Sequence, residues 1–294
     1  MKASVVLKRV FSNKTKRVSR SKSGDAASFL FLFIVSLFSM IPLVLSISNS
    51  LKPINELFIY PPRIFPISPT FDNYTTLFSL LSTTWVPFTR YLFNTVFVTF
   101  TTTFLHVIFS SMAAYPLAKH KFKGKAFLNE LIMLSLMFVS AVTDVANYIT
   151  VSLLGWLDSY FAMIVPSIAY TMGLFLLKNF MTTIPDSLIE AAKIDGASEM
   201  TILWRIIMPV SKPAWLTLVI VMIQNLWGQA NTTYIYSEKY KTLPAALSMV
   251  TSGGLIRMGA AQAVGVIMLV VPATIFIFNQ TKIVETMASS GLKE

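Results

Sequence analysis

The sequence lacks cysteine altogether and contains only two histidines, which removes several classes of chemistry. Without cysteine there is no disulfide framework and no thiolate metal or redox site. The two histidines, His106 and His120, lack the spacing of a metal-ligand pair. A phosphate-binding loop of the form Gly-x-x-x-x-Gly-Lys-Ser/Thr is also missing, since Gly124-Lys125 is followed by Ala126. We therefore expect no catalytic residue and no metal site on this chain.

Charge is scarce as well, because Asp, Glu, Lys and Arg make up only 13% of the 294 residues. A typical soluble domain carries roughly 25% charged residues. Hydrophobic residues make up 54% of the chain, and the mean hydropathy is +0.66. One soluble core cannot hide that much apolar surface. The composition excludes a disordered chain, a collagen and a soluble nucleic-acid-binding fold, and it predicts an integral membrane protein in contact with lipid and not with nucleic acid.

Six apolar stretches approach or exceed the roughly 20 residues that a helix needs to cross a bilayer. They are residues 26–48, 91–118, 126–150, 161–181, 214–230 and 259–280. Backbone polar groups in lipid must be satisfied within the segment, and no stretch sustains the two-residue alternation of a barrel strand. We predict an all-α membrane protein with six transmembrane helices, of which the fifth has the least certain boundary.

The net charge of +11 serves mainly to orient the chain. With the N-terminus inside, 18 of the 24 Lys and Arg residues fall in the inner segments and 6 in the outer ones. We predict a multi-pass membrane protein with both termini cytoplasmic and the first span retained as a signal anchor. The expected organisation is a cytoplasmic segment 1–25, a six-span domain 26–281 that includes a cytoplasmic loop 182–212, and a cytoplasmic tail 282–294.

The loop between spans four and five carries the most informative pattern in the sequence. Pro185 suits the first turn of a helix, Leu188, Ala191 and Ala192 form a small apolar face, and Gly196 permits a left-handed turn. A second helix, 198–207, is predicted to end before Pro209. Two short helices that meet at a glycine form a knob suited to a groove on another protein.

This loop resembles the signature of the permease subunits of binding-protein-dependent ABC importers. Glu190-Ala191-Ala192 is followed after three residues by Gly196, and after nine more by Ile206-x-Met208-Pro209, with Met208 in place of the usual Leu. Residues 175–180, 242–244 and 278–280 resemble the carbohydrate-uptake branch, of the maltose-permease G type. The resemblance covers residues 25–282 and implies the type I importer permease fold and a location in the bacterial inner membrane.

The resemblance also implies what surrounds the chain. The loop would be a coupling helix seated in a cleft of an ATPase subunit, with these residues in contact or at the turn: Glu190, Ala191, Ala192, Asp195, Gly196 and Ala197. The complex would contain a second homologous permease subunit as a heterodimer partner, two cytoplasmic ABC ATPase subunits and an extracytoplasmic solute-binding protein. This chain would hold no cofactor, because ATP and Mg²⁺ would bind to the ATPase subunits.

Polar residues within the spans are costly unless they face a cavity or a neighbouring helix. Those expected to line a substrate pathway are Asp144, Asn147, Gln224, Asn225, Trp227, Gln229 and Asn231. Amides and a carboxylate beside an aromatic ring suit a sugar, although the same groups also serve as interhelical hydrogen bonds.

The substrate class is the least constrained expectation. The last ten residues resemble permeases for acidic oligosaccharides, including the second permease subunit of the bacterial alginate importer, so an alginate- or uronate-type oligosaccharide is favoured. Neutral oligosaccharides are the alternative. An ion-coupled secondary transporter is disfavoured because Asp144 is its one plausible ion-binding group, and a membrane scaffold would not require the coupling loop.

Overall fold

The computed structural model describes residues 22–82, 86–138 and 140–291, and these residues form helices and connecting loops without β-strands. The first half contains α1 (Lys22–Ser50), α2 (Ile54–Leu57), α3 (Asp72–Ser82), α4 (Phe88–Lys119), α5 (Lys125–Met137), α6 (Ser140–Leu153), α7 (Tyr160–Ile168) and α8 (Thr171–Thr182). The second half contains α9 (Asp186–Ile194), α10 (Glu199–Ile202), α11 (Met208–Val210), α12 (Lys212–Trp227), α13 (Leu243–Thr251) and α14 (Met258–Gly291). The all-α prediction is confirmed. Most of the predicted N-terminal basic segment, residues 1–21, and the last three residues of the predicted tail lie outside the described residues.

Four helices in the described part of the chain are long and apolar enough to cross a membrane, and six spans result if each of two bent helix pairs counts as one. The prediction of a continuous third span was wrong in one respect, because Lys125–Met137 and Val142–Leu153 meet at 107°. The fifth span is also bent, by 79° between Glu199–Val210 and Lys212–Trp227. The fourth is interrupted at residues 169–170, just after Pro166.

Helix α4 is the structural centre of the bundle. It packs most extensively against α8 and also contacts α7 and α12, while α14 packs against α12 and α1. The face that α4 turns inward is polar, with these side chains buried: Asn94, Thr95, Thr99, Thr102, Thr103, His106, Ser110 and Ser111. Polar residues in a span that face other helices avoid the cost of contact with lipid.

The loop predicted to be cytoplasmic, 182–212, folds largely as its pattern predicts. Helix α9 begins after Pro185, and Gly196 has the positive φ of +75° that a residue without a Cβ adopts readily. The predicted end of the second helix before Pro209 was wrong, since a π-turn at Leu203–Ile207 is followed directly by α11, which contains Pro209. A proline ring clashes with the carbonyl four residues earlier in a regular helix, and the wider π-turn relieves that conflict.

Candidate functional site

A polar cavity of about 450 Å³ lies among α6, the interruption between α7 and α8, the end of α12 and the loop that follows α12. Five of the seven residues predicted for the pathway line it: Asp144, Asn147, Asn225, Gln229 and Asn231. Asn225 and Gln229 are four residues apart near the end of α12, which places them on one side of the chain. The cavity therefore collects one carboxylate and four carboxamides, groups that can hydrogen-bond to hydroxyls.

The structure places Gln224 and Trp227 outside this cavity. Gln224 is exposed elsewhere on α12, and the side chain of Trp227 is only 5% exposed, packed with Leu77, Tyr91 and Leu247. Two residues from Asn225, Trp227 points to the far side of the helix because successive residues are rotated by about 100°.

The aromatic rings of the cavity instead belong to Tyr170 and Tyr234, which the sequence reasoning did not identify. Both lie outside regular helix, at the span-four interruption and in the loop after α12, so no helical periodicity could reveal them. The Tyr234 ring stacks on that of Tyr148 with centroids 6.4 Å apart. Aromatic faces of this kind can pack against the apolar face of a sugar ring.

The cavity carries negative charge. Among the described residues that line it, Asp144 is the only Asp or Glu, and Lys and Arg are absent. Burial and the nearby negative charge of Asp144 raise the pKa of Tyr234, so its phenol stays protonated and able to donate a hydrogen bond. A ligand in this cavity would therefore meet one carboxylate, four carboxamide groups and two phenol groups.

The loop after α12 is fixed by polar contacts at residues 236–241, just beyond its cavity-lining residues 229–234. The Oδ1 atom of Asp158 accepts hydrogen bonds from the backbone N–H groups of Tyr236 (3.0 Å) and Ser237 (2.9 Å). The Nδ2 group of Asn94 on α4 donates to the carbonyl oxygens of Lys239 (3.0 Å) and Lys241 (2.8 Å). Because its backbone is held by side chains of other elements, this loop forms a defined wall of the cavity.

At the end of the bundle predicted to be cytoplasmic, α9 presents an exposed surface that also contains apolar side chains. Leu188 is 43% exposed and Ile194 87% exposed, whereas Ile189 and Ala192 are buried against the bundle. The apolar face predicted from Leu188, Ala191 and Ala192 is thus divided, with Ala192 turned inward. Of the other residues predicted for coupling, these are exposed: Glu190, Ala191, Asp195 and Gly196; Ala197 is half-buried. We call the exposed side of α9 and the Gly196 turn the coupling surface.

An ion pair and a hydrogen bond attach the loop that carries the coupling surface to the end of α4, and sequence spacing did not indicate them. Lys119 Nζ lies 2.7 Å from Asp186 Oδ1, and this hydrogen bond and the Lys119 charge lower the pKa of the Asp186 carboxyl. The Glu199 carboxylate accepts a 2.7 Å hydrogen bond from the Tyr115 hydroxyl and pairs with Lys193 at 2.7 Å. Two elements of the loop are therefore attached to one span.

Comparison with known proteins agrees with this architecture. The binding-protein-dependent transport system inner membrane component family matches residues 106–287. Protein LplC of Bacillus subtilis is 33% identical over 212 residues, which are 72% of this chain and 70% of that protein. The arabinooligosaccharides transport system permease protein AraQ of the same organism is 30% identical over 270 residues, covering 90% and 94%.

Among solved structures, a chain of a bacterial ABC transporter involved in the import of the acidic polysaccharide alginate superimposes with a TM-score of 0.74. The match covers 90% of this chain and 98% of the other at 20% sequence identity. At that identity the likeness concerns the fold, and it confirms the type I permease architecture.

Proposed function

The chain belongs to the family of binding-protein-dependent transport system inner membrane components, as a permease of a sugar-importing ABC transporter, and on that premise we propose that it couples ATP hydrolysis on separate subunits to translocation of an oligosaccharide. It would act with a second, homologous permease, two cytoplasmic ATPase subunits that bind ATP and Mg²⁺, and an extracytoplasmic binding protein that delivers the sugar. The termini would be cytoplasmic, as the distribution of basic residues predicts.

One observation carries this proposal: α4 contacts both the loop after α12, which lines the cavity with residues 229–234, and the loop that carries the coupling surface. Asn94 near its outer end holds the loop after α12, and Tyr115 and Lys119 at its cytoplasmic end bind Glu199 and Asp186. The 25 residues between Asn94 and Lys119 span about 37 Å of helix. A displacement of α9 by an ATPase subunit would therefore be transmitted along this helix toward the loop that lines the cavity.

The coupling surface suits a protein partner rather than lipid. It combines the exposed apolar side chains of Leu188 and Ile194 with the carboxylates of Glu190 and Asp195, a mixture typical of protein interfaces. Ile189 and Ala192 anchor the helix on the opposite side, so a partner can push α9 without detaching it.

Site-specific crosslinking tests this contact, because each introduced cysteine is the only one in the chain. A photoactivatable thiol reagent on Leu188→Cys or Ile194→Cys is expected to crosslink the ATPase subunit in the assembled complex. The control is Ile189→Cys on the same helix, whose parent side chain is 7% exposed and faces the bundle. Equal yields at all three positions, or none at 188 and 194, would contradict the assignment of the coupling surface.

For the substrate, the cavity supports recognition of hydroxyl groups. A carboxylate and four amides supply hydrogen bonds to hydroxyls, and the two tyrosines supply aromatic faces. The negative charge of Asp144, with no Lys or Arg among the described lining residues, favours a neutral oligosaccharide for this half of the pathway. The acidic oligosaccharide favoured by the sequence stays a prediction, and it would require cationic groups on the partner permease.

A further inference from the structure

The imidazole of His106 is a fully buried titratable group on α4, and the mechanism above does not use it. Its side chain is 1% exposed, and it faces the interruption of the fourth span. Nδ1 lies 2.7 Å from the carbonyl oxygen of Ile168. Since a carbonyl oxygen can only accept, Nδ1 carries the proton of this hydrogen bond. The Ser110 hydroxyl, 3.2 Å from Nε2, can then donate to the other ring nitrogen.

The carbonyl that His106 binds is one that the helix itself leaves without a regular partner. Ile168 is the last residue of α7, and the final carbonyls of a helix have no intrahelical donor. Ile168 is half-buried and is not among the residues that line the cavity, so a donor from a neighbouring helix can take that place. His106 therefore supplies from α4 the hydrogen bond that the interruption of span four removes.

Two further contacts fix the ring against the same segment. The Tyr170 ring meets the imidazole edge to face, with centroids 5.9 Å apart. A Cβ at Gly173 would lie 2.1 Å from His106 Nε2 and 2.7 Å from Leu218 Cδ1, so only glycine allows α8 to approach this closely. One side chain thus contacts the interrupted segment before, at and after the break.

That segment is a wall of the cavity. Ser167, Ala169 and Tyr170 line it, whereas His106 does not. We propose that His106 is a positioning residue for the sugar pathway: it holds the span-four interruption so that Tyr170 and the neighbouring backbone face the substrate. This inference rests on the proposed function for the identity of the substrate, and it rests on the structure alone for the position of residues 167–170.

The test compares His106→Leu, which removes the donor, with His106→Asn, whose side-chain amide can donate from a position close to that of Nδ1. In reconstituted complexes at saturating loaded binding protein, sugar uptake per ATP hydrolysed is expected to fall about tenfold in the leucine variant and to recover substantially in the asparagine variant, as expected for loss and return of one hydrogen bond to a buried carbonyl. The matched control is Ser111→Ala, because Ser111 is equally buried on α4 and its hydroxyl donates to the carbonyl of Val107 on its own helix.

A second readout does not depend on transport. In the otherwise cysteine-free chain, Ala169→Cys should react with a polar thiol reagent at a rate that His106→Leu changes at least about threefold and Ser111→Ala does not. Unchanged reactivity and unchanged uptake per ATP in a His106→Leu protein that inserts normally would overturn the positioning role. Altered reactivity in a complex that moves no sugar would support the positioning role and count against the proposed function.

Discussion

Gly196→Val is expected to uncouple ATP hydrolysis from sugar uptake without preventing membrane insertion. Gly196 has φ +75°, and a Cβ there would meet no atom within 4 Å, so the conflict lies in the backbone and not in space. An L-residue in this region costs about 1–2 kcal/mol, and more when it is β-branched. The turn would open, and α9 would no longer be held in a fixed orientation relative to Ser198, where the next helix begins. We expect uptake to fall by about 5- to 30-fold, the factors that correspond to about 1–2 kcal/mol.

The control for this experiment is Gly155→Val. Gly155 also has a positive φ, +67°, and a Cβ added there would likewise meet no atom within 4 Å. It lies in the connection between α6 and α7, far from α9 in sequence. Both variants carry the same backbone strain, so a general loss of stability would affect them equally. If Gly155→Val lowered the uptake-to-hydrolysis ratio as much as Gly196→Val, strain and not coupling would explain the result.

Asp144→Asn is expected to act in opposite directions on neutral and acidic substrates. For a neutral oligosaccharide the change removes a charged acceptor, and hydrogen bonds to charged groups contribute about 1.5–3 kcal/mol. We therefore expect uptake of a neutral arabino-oligosaccharide per ATP hydrolysed to fall at least about tenfold. For an oligogalacturonate of equal length the change removes a repulsion in the cavity, so uptake should rise.

Glu130→Gln is the matched control, because Glu130 on α5 belongs to the same bent span, is exposed and does not line the cavity. It repeats the carboxylate-to-amide change with no expected effect on either sugar. A fall of uptake with the acidic sugar and none with the neutral one would contradict the assignment of Asp144.

The sequence was sufficient for the parts of the fold that local chemistry determines. Long apolar runs predict the spans, and Pro185 and Gly196 predict where α9 begins and the left-handed turn follows. Asn225 and Gln229 could be paired because helical spacing relates residues four apart. Each of these predictions depends on residues within a few positions of one another.

The remainder depends on contacts between distant segments. The hydrogen bond between Tyr115 and Glu199 joins elements that no local pattern relates, since these residues are 84 positions apart. Trp227 was expected in the cavity because of its residue type, but its neighbours Leu77 and Tyr91 lie more than a hundred residues earlier in the chain. Tyr170 reaches the cavity because span four is interrupted. At this interruption its ring packs against His106, a contact between distant residues that the sequence does not predict.

The most direct test of the account is uptake of a labelled oligosaccharide into proteoliposomes that contain this chain, its partner permease and the ATPase subunits. With loaded binding protein outside and ATP inside, we predict uptake that persists when ionophores collapse every ion gradient and that stops when ATP or the binding protein is omitted. Uptake driven by an ion gradient without ATP, or by this chain alone, would contradict the account and identify a secondary transporter.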